Sequence, residues 1–221
     1  MRILFVGNSH TYYNDMTRIF SDLANANGHP VEVDTVTRGG WILHDYLDVQ
    51  NEQAEKIERL SKEGSFDLCV LQEQSLNPVV DFESFKDGVT RLMAKLSNAA
   101  RSFLLYETFG WEDGFDKLAA RGLTWDTMAR ATTEAYTNLS RQICVPVSRA
   151  GSNFCYVKRN RPDLDMFLPD HVHATYTGSC LIALTHYHTV FGELPRNVSA
   201  LELPEETIQY FLSVVGQQIG K

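Results

Sequence analysis

The sequence predicts an α/β fold: a three-layer sandwich with helices on both faces of a five-stranded parallel sheet in the order 2-1-3-4-5. Three observations carry this expectation. Short apolar runs alternate along the chain with segments of helical periodicity. The central runs, such as Leu68-Cys69-Val70-Leu71, are apolar at every position, as strands covered on both faces must be. Polar residues that can do chemistry follow the first and third runs directly, at the carboxyl ends where open parallel sheets bind ligands.

The strand-like runs are residues 2–6, 31–36, 67–72, 101–107 and 143–148. Between the first and second, Met16, Ile19, Phe20 and Leu23 repeat at helical spacing, with Asn14 or Asp15 as cap and Gly28 as stop. Phe82, Phe85, Val89, Leu92, Met93 and Leu96 mark another amphipathic helix, and Met128, Thr132, Ala135, Tyr136 and Leu139 a further one. Leu181, Leu184 and Phe191 lie on a helix near the end, and Pro204 suits the first turn of a last helix through Ile208, Phe211, Leu212 and Val215. Residues 110–122 are rich in Gly and Asp without a period and read as a loop over the active face. No composition shift marks a linker, so residues 1–221 are expected to form a single domain.

At 43% apolar residues, 221 positions are enough to bury a full core. The net charge of −8 offers no basic stripe for phosphates, which argues against nucleic acid and against an anionic membrane surface. No apolar stretch approaches the roughly 20 residues that cross a bilayer. The N-terminus enters a strand at once, without the layout of a signal peptide, and Cys69, Cys144, Cys155 and Cys180 show no CxxC spacing. A cytoplasmic protein with reduced thiols is expected. Cys69 and Cys144 sit in apolar runs and read as small buried hydrophobes. No ligand pairs recur at metal spacing, so neither a metal nor an organic cofactor is expected.

The chemistry concentrates in Gly7-Asn8-Ser9-His10-Thr11, on the turn leaving the first strand, and in Pro169-Asp170-His171-Val172-His173. A hydroxyl, an imidazole to take its proton and a carboxylate to orient the imidazole are the groups of nucleophilic acyl transfer. The first turn has a competing reading, a flavodoxin-like phosphate or nucleotide site built on Gly7, Ser9 and Thr11. Against it, no lysine follows at P-loop spacing and no GxGxxG is present. His171 and His173 could equally be polar loop residues, and His186 and His188 lie two apart on a helix and face different sides. His29 follows a helix-stopping glycine and is expected in solvent. His44 is expected at a helix start, and His10 in the cleft.

Taken together, the strand ending in Gly-x-Ser, a glycine after the second strand, an amide after the third and a late Asp-x-x-His resemble the SGNH hydrolases, or GDSL-like lipases and esterases. The likeness spans Gly7 to His173 and is closest to a divergent bacterial branch of undefined substrate. It implies a flavodoxin-like strand order, with Ser9 as nucleophile and Asp170 and His173 completing a triad. It also implies an oxyanion hole from the N–H groups of Ser9 and Gly40 (or its neighbour Gly39) with an amide side chain. Two departures stand out. Asn8 replaces the usual aspartate, and Leu71-Gln72-Glu73-Gln74-Ser75 replaces Gly-x-Asn-Asp, leaving Gln72 or Gln74 as the amide. On this reading the partner is a small-molecule ester, and a wall of Tyr12, Tyr13, Trp41 and Trp111 would favour deacetylation of a carbohydrate. His10, Trp41 and Trp111 are the candidate substrate contacts. A glycan-binding pseudo-enzyme is the other alternative, given the altered blocks.

Overall fold

Each apolar run must leave the sheet and return through a helix, and the computed structural model, which describes residues 1–47 and 51–217, shows how. Strand β1 (Arg2–Gly7) opens into α1 (Ser9–Tyr12), a 3-10 turn at Tyr13–Asp15 and α2 (Met16–Ala26). Then come β2 (Glu32–Thr37), a 3-10 turn at Leu43–Tyr46, α3 (Glu52–Glu63), β3 (Leu68–Leu71), α4 (Asn77–Val80), α5 (Phe82–Leu96) and β4 (Phe103–Tyr106). The remainder runs α6 (Asp116–Ala119), α7 (Trp125–Ile143), β5 (Val147–Ser148), α8 (Ala150–Asn160), α9 (Tyr176–Phe191) and α10 (Glu205–Gly216).

All five strands are parallel, in the order β2-β1-β3-β4-β5, as the sequence predicts. The pleat divides the core in two. Ile3, Phe5, Val70, Leu104 and Tyr106 pack beneath α2, α8, α9 and α10, through Phe20, Phe154, Leu184 and Phe211. Their neighbours Leu4, Val6, Cys69, Leu71 and Leu105 pack on the opposite side against Ile57, Phe85, Leu92 and Tyr136 of α3, α5 and α7. Burying a side chain of this size contributes about 1.5–3 kcal/mol, so alternation alone fixes which way every strand residue points. A third, smaller cluster of Leu76, Trp111, Leu118 and Met128 anchors the 110–122 segment over the carboxyl ends of the strands. That segment contains α6, a helical turn the sequence reading does not anticipate.

Several boundaries differ from expectation for local reasons. The fifth run shrinks to two residues because α7 extends through Ile143 and Cys144 closes it in a left-handed conformation, φ 56°. Its N–H bonds Ser140 O there, and the Cys144 side chain is exposed rather than buried in a strand. Cys69 is buried in β3 as expected. Helices α3 and α8 escape the periodicity reading because their buried faces are thin or mixed: Ile57 alone in α3, and Gly151 and Asn153 among the buried positions of α8. His29 is not free in solvent. It is half-buried, stacked on Phe191 at 4.2 Å, with Nε2 2.9 Å from Glu193. His44 lies in the Leu43–Tyr46 turn. No helix among the described residues is long and apolar enough to cross a membrane.

Candidate active site

Strand order reverses between β1 and β3, so the residues leaving these two strands face one another across a crevice. The turn after β1 is built around Gln72, which follows β3. Gln72 Oε1 accepts from Asn8 N–H at 2.8 Å and from the Thr11 hydroxyl at 2.9 Å, while Nε2 donates to Asn8 Oδ1 at 3.0 Å and Glu73 O at 2.6 Å. Asn8 in turn caps α1, accepting from His10 N–H at 3.2 Å, and its Nδ2 donates to Trp41 O at 3.0 Å. The residue that replaces the usual aspartate therefore joins the loops after β1, β2 and β3. Gly7 is the only residue that fits beneath: a Cβ there would stand 2.5 Å from Gln72 Oε1.

This scaffold presents Ser9 to a histidine that arrives 164 residues later. His173 Nε2 lies 2.8 Å from Ser9 Oγ, and His173 Nδ1 lies 2.6 Å from Asp170 Oδ2. Asp170 Oδ1 also accepts the N–H groups of Val172 and His173, each at 2.9 Å, so one carboxylate folds the loop and orients the ring. Partial burial pushes the Asp170 carboxyl up, but the His173 N–H, the His173 ring and the Val172 N–H together hold it below its ordinary value. The Tyr13 ring lies flat on His173, centroids 3.9 Å apart and planes 4° apart. The loop that carries His173 is fixed from outside as well: Glu112 N–H donates to His171 O at 2.8 Å, and Glu112 Oε2 lies 2.9 Å from His171 Nδ1. Lys158 holds the other Glu112 oxygen. His171 thus braces the loop and turns away from Ser9.

Ser9, Asp170 and His173 line one cleft of about 390 Å³ together with Gly40, Gln74, His10 and Trp111. The two candidate amides, two residues apart, have opposite environments. Gln72 is buried with both ends of its amide bonded inside the protein, so it supports the turn and does not reach the cleft. Gln74 Oε1 accepts the N–H groups of Leu76 and Asn77 at 2.9 and 3.1 Å, ahead of α4. Those two donors fix the flip of the amide, which leaves Nε2 with no partner among the described residues, on a residue that lines the cleft. Gly40, in a left-handed conformation with φ 76°, brings the backbone after β2 to the same side. Its N–H has no acceptor among the described residues.

Of the aromatic wall expected from the sequence, only Trp111 lines the cleft. Trp41 does not reach it: the ring packs edge-on to Tyr46 at 5.1 Å beneath the Arg38 guanidinium, and its carbonyl is the part the site uses. Tyr12 is exposed, and Tyr13 is spent on His173. Phe115 and Lys117 also line the cleft, and sequence reasoning does not find them, since the aperiodic 110–122 segment gives no signal of which residues turn inward. Ser75 escapes it too; its hydroxyl lies 3.0 Å from His10 Nε2. Burial first, then the neighbouring His173, lowers the His10 pKa to about 3, so His10 is a neutral wall of the cleft. Behind the site, burial raises the Glu73 carboxyl to about 8 although it accepts the N–H groups of Gln74 and Leu43.

Chemically, the hydroxyl, imidazole and carboxylate are aligned to move a proton off Ser9. The same turn is a poor anion cradle: the N–H groups of Asn8, His10 and Thr11 are all bonded internally, which leaves only that of Ser9 for a phosphate.

No family model and no curated relative matches the chain. Solved structures do. A candidate SGNH hydrolase from Slackia heliotrinireducens is 25% identical, with a TM-score of 0.75 over 86% of this chain and 98% of that one. A DUF4886 family protein from Bacteroides uniformis is 13% identical, with a TM-score of 0.76 over 98% of this chain and 93% of its own. A catalytic mutant of an acetylxylan esterase from Geobacillus stearothermophilus is 14% identical, with a TM-score of 0.63 over 89% and 96%. The chain has the SGNH/GDSL-like hydrolase fold, that of a group of ester-bond hydrolases.

Proposed function

We propose that this protein is a serine hydrolase that cleaves small esters through an acyl-serine intermediate. The observation that carries the reading is the unbroken line from Ser9 Oγ through the His173 ring to Asp170, with contacts of 2.8 and 2.6 Å. In this reading His173 Nε2 takes the Ser9 proton as Oγ attacks the ester carbonyl, and Asp170 stabilises the imidazolium without accepting the proton. The oxyanion is held by the N–H groups of Ser9 and Gly40 and by Gln74 Nε2. His173 then gives its proton to the leaving alcohol. Water, deprotonated by the same ring, attacks the acyl-serine, releases the acid and returns the proton to Ser9 Oγ.

The preferred substrate is an acetyl ester on a carbohydrate alcohol. Supporting this are the aromatic side chains of Trp111 and Phe115, set edge to face at 5.0 Å in the cleft that holds Ser9, and the likeness to an acetylxylan esterase. A chromogenic series with acetyl, butyryl and octanoyl groups, followed by an acetylated oligosaccharide, tests it. Turnover should be fastest for acetyl, and the sugar acetate should be hydrolysed. Preference for octanoyl, or inertness toward every acetylated sugar alongside rapid turnover of aryl acetates, would remove the carbohydrate assignment. The phosphate-site alternative receives no support from a turn whose N–H groups are already bonded.

A further inference from the structure

The segment between the nucleophile turn and α2 follows an unusual backbone path. Between α1 and α2 the chain bends at Asn14 and Asp15, both left-handed with φ of 52° and 53°. Side chains other than glycine adopt this conformation at a cost, and two in succession require something to hold them. The Asp15 side chain is not the cause, because it makes no capping bond to α2. The two residues facing inward do show what the bend achieves. It lays the Tyr13 ring flat on His173, and it aims Asn14 Nδ2 at Ala174 O and Ser179 Oγ, both at 2.9 Å. Ala174 is the residue that directly follows the histidine.

Geometry shows what the ring contact adds. The bonds of His173 to Ser9 and Asp170 fix the line through its two nitrogens, but leave the ring free to tilt about that line. A flat contact on the ring face removes that freedom. The other ring near His173, that of His10, stands at 5.6 Å and is tilted by 34°, too distant and too oblique to do the same. The negative face of an aromatic ring also favours a cation laid against it, the form His173 takes once it holds the Ser9 proton.

We propose that Tyr13 and Asn14 form a strap that positions His173: Tyr13 sets the tilt of the imidazole, and Asn14 ties the backbone after the histidine to the backbone after Ser9. Both are positioning residues that act through His173, Tyr13 against the face of its ring and Asn14 through the backbone that follows it. The inference rests on the reading of His173 as the base that serves Ser9.

Four proteins test it: the parent, Tyr13→Phe, Tyr13→Leu and Asn14→Gly, each with kcat and KM on 4-nitrophenyl acetate, thermal unfolding, and fluorophosphonate labelling located by mass spectrometry. Tyr13→Leu should lower kcat by about 10- to 100-fold with little change in KM, the scale expected when a reacting group loses its alignment. Tyr13→Phe keeps the ring and should remain within about threefold of the parent. Asn14→Gly keeps the left-handed backbone accessible but deletes both bonds, so it should lose about tenfold or more in kcat together with some stability. A fall in kcat at unchanged KM in Tyr13→Leu that Tyr13→Phe does not share is an outcome that a purely structural role does not give. If the parent labels at Ser9 and turns over, while Tyr13→Leu and Asn14→Gly match its kcat, the strap is wrong and the hydrolase reading stands. The strap is equally wrong if Tyr13→Phe is as slow as Tyr13→Leu. If the parent neither turns over nor labels at Ser9, the hydrolase reading falls and the strap with it.

Discussion

The two halves of the site are held by different means. The nucleophile side is buried: Asn8, Thr11 and Gln72 are each at most 1% exposed, and their polar groups bond one another in a closed network on the ends of β1 and β3. The base side is a loop at the surface. Its carboxylate is partly exposed, His171 takes a left-handed conformation with φ 62°, and its order comes from Glu112, Tyr13 and Asn14, all contributed by other segments. An unpaired polar group costs most where water cannot reach it, and a misaligned one costs most where a proton must move. Lesions on the first side should therefore appear in folding, and lesions on the second in rate.

The largest effect is expected on the base side. His173→Ala should lower kcat on the order of 10⁶-fold, the scale of losing a triad base, with Tm shifted by no more than about 2 °C. Asp170→Asn should lower kcat by up to about 10⁴-fold. His171→Ala, which loosens the loop without touching Ser9, should stay within about tenfold of the parent. Steady-state kinetics with melting curves on the same samples would break the comparison if His173→Ala proved chiefly a folding defect.

The glutamines sharpen it further. Gln74→Ala removes the amide proposed as an oxyanion donor and should cost about 10²–10³ in kcat. Gln72→Ala leaves the Asn8 N–H and the Thr11 hydroxyl buried without an acceptor, which should destabilise the fold by about 3 kcal/mol, or about 6–12 °C in Tm. Equal loss of Tm in both variants would show that the two amides do the same job.

The smallest effect is a pH dependence. With a folded value of about 8 against an ordinary 4.5, Glu73 keeps its proton in the folded protein at pH values where the unfolded chain has lost it. Its contribution is therefore full below pH 4.5 and is lost progressively as pH rises toward 8. Burial lowers His10 and His186 to about 3 from 6.5, so both act in the opposite sense: their contribution is present above 6.5 and lost as pH falls. Between pH 6.5 and 8 the glutamate acts with little opposition from these histidines, and Tm should decline there. Glu73→Gln should flatten that decline, as melting curves at closely spaced pH would reveal.

Much of this arrangement was legible in the sequence, because the residues concerned obey strong local rules. Val70 and Leu71 can only belong to a strand covered on both faces, and Ser9 can only sit at a strand end if residues 2–6 form β1. The meeting of Ser9 with His173 was implied by the resemblance of the blocks to the SGNH hydrolases. The division of labour between Gln72 and Gln74 did not. Alternation puts both on one side, but the chain leaves extended geometry after Leu71, and Gln74 turns its oxygen to Leu76 and Asn77. Tyr13 and Asn14 were hidden for a similar reason. Their roles come from a backbone reversal that neither propensity nor period encodes, and from partners about 160 residues away. Trp41 misled because an aromatic beside a site glycine looks the same whether it faces substrate or, as here, Tyr46.

The central claim is that Ser9 is an activated nucleophile served by His173, and covalent labelling tests it most directly. Treated with a fluorophosphonate, the parent should gain a single adduct, located on Ser9 by peptide mass spectrometry. Ser9→Ala should gain none, and His173→Ala should label far more slowly. An adduct on another serine, or labelling of the parent no faster than that of His173→Ala, would contradict the account.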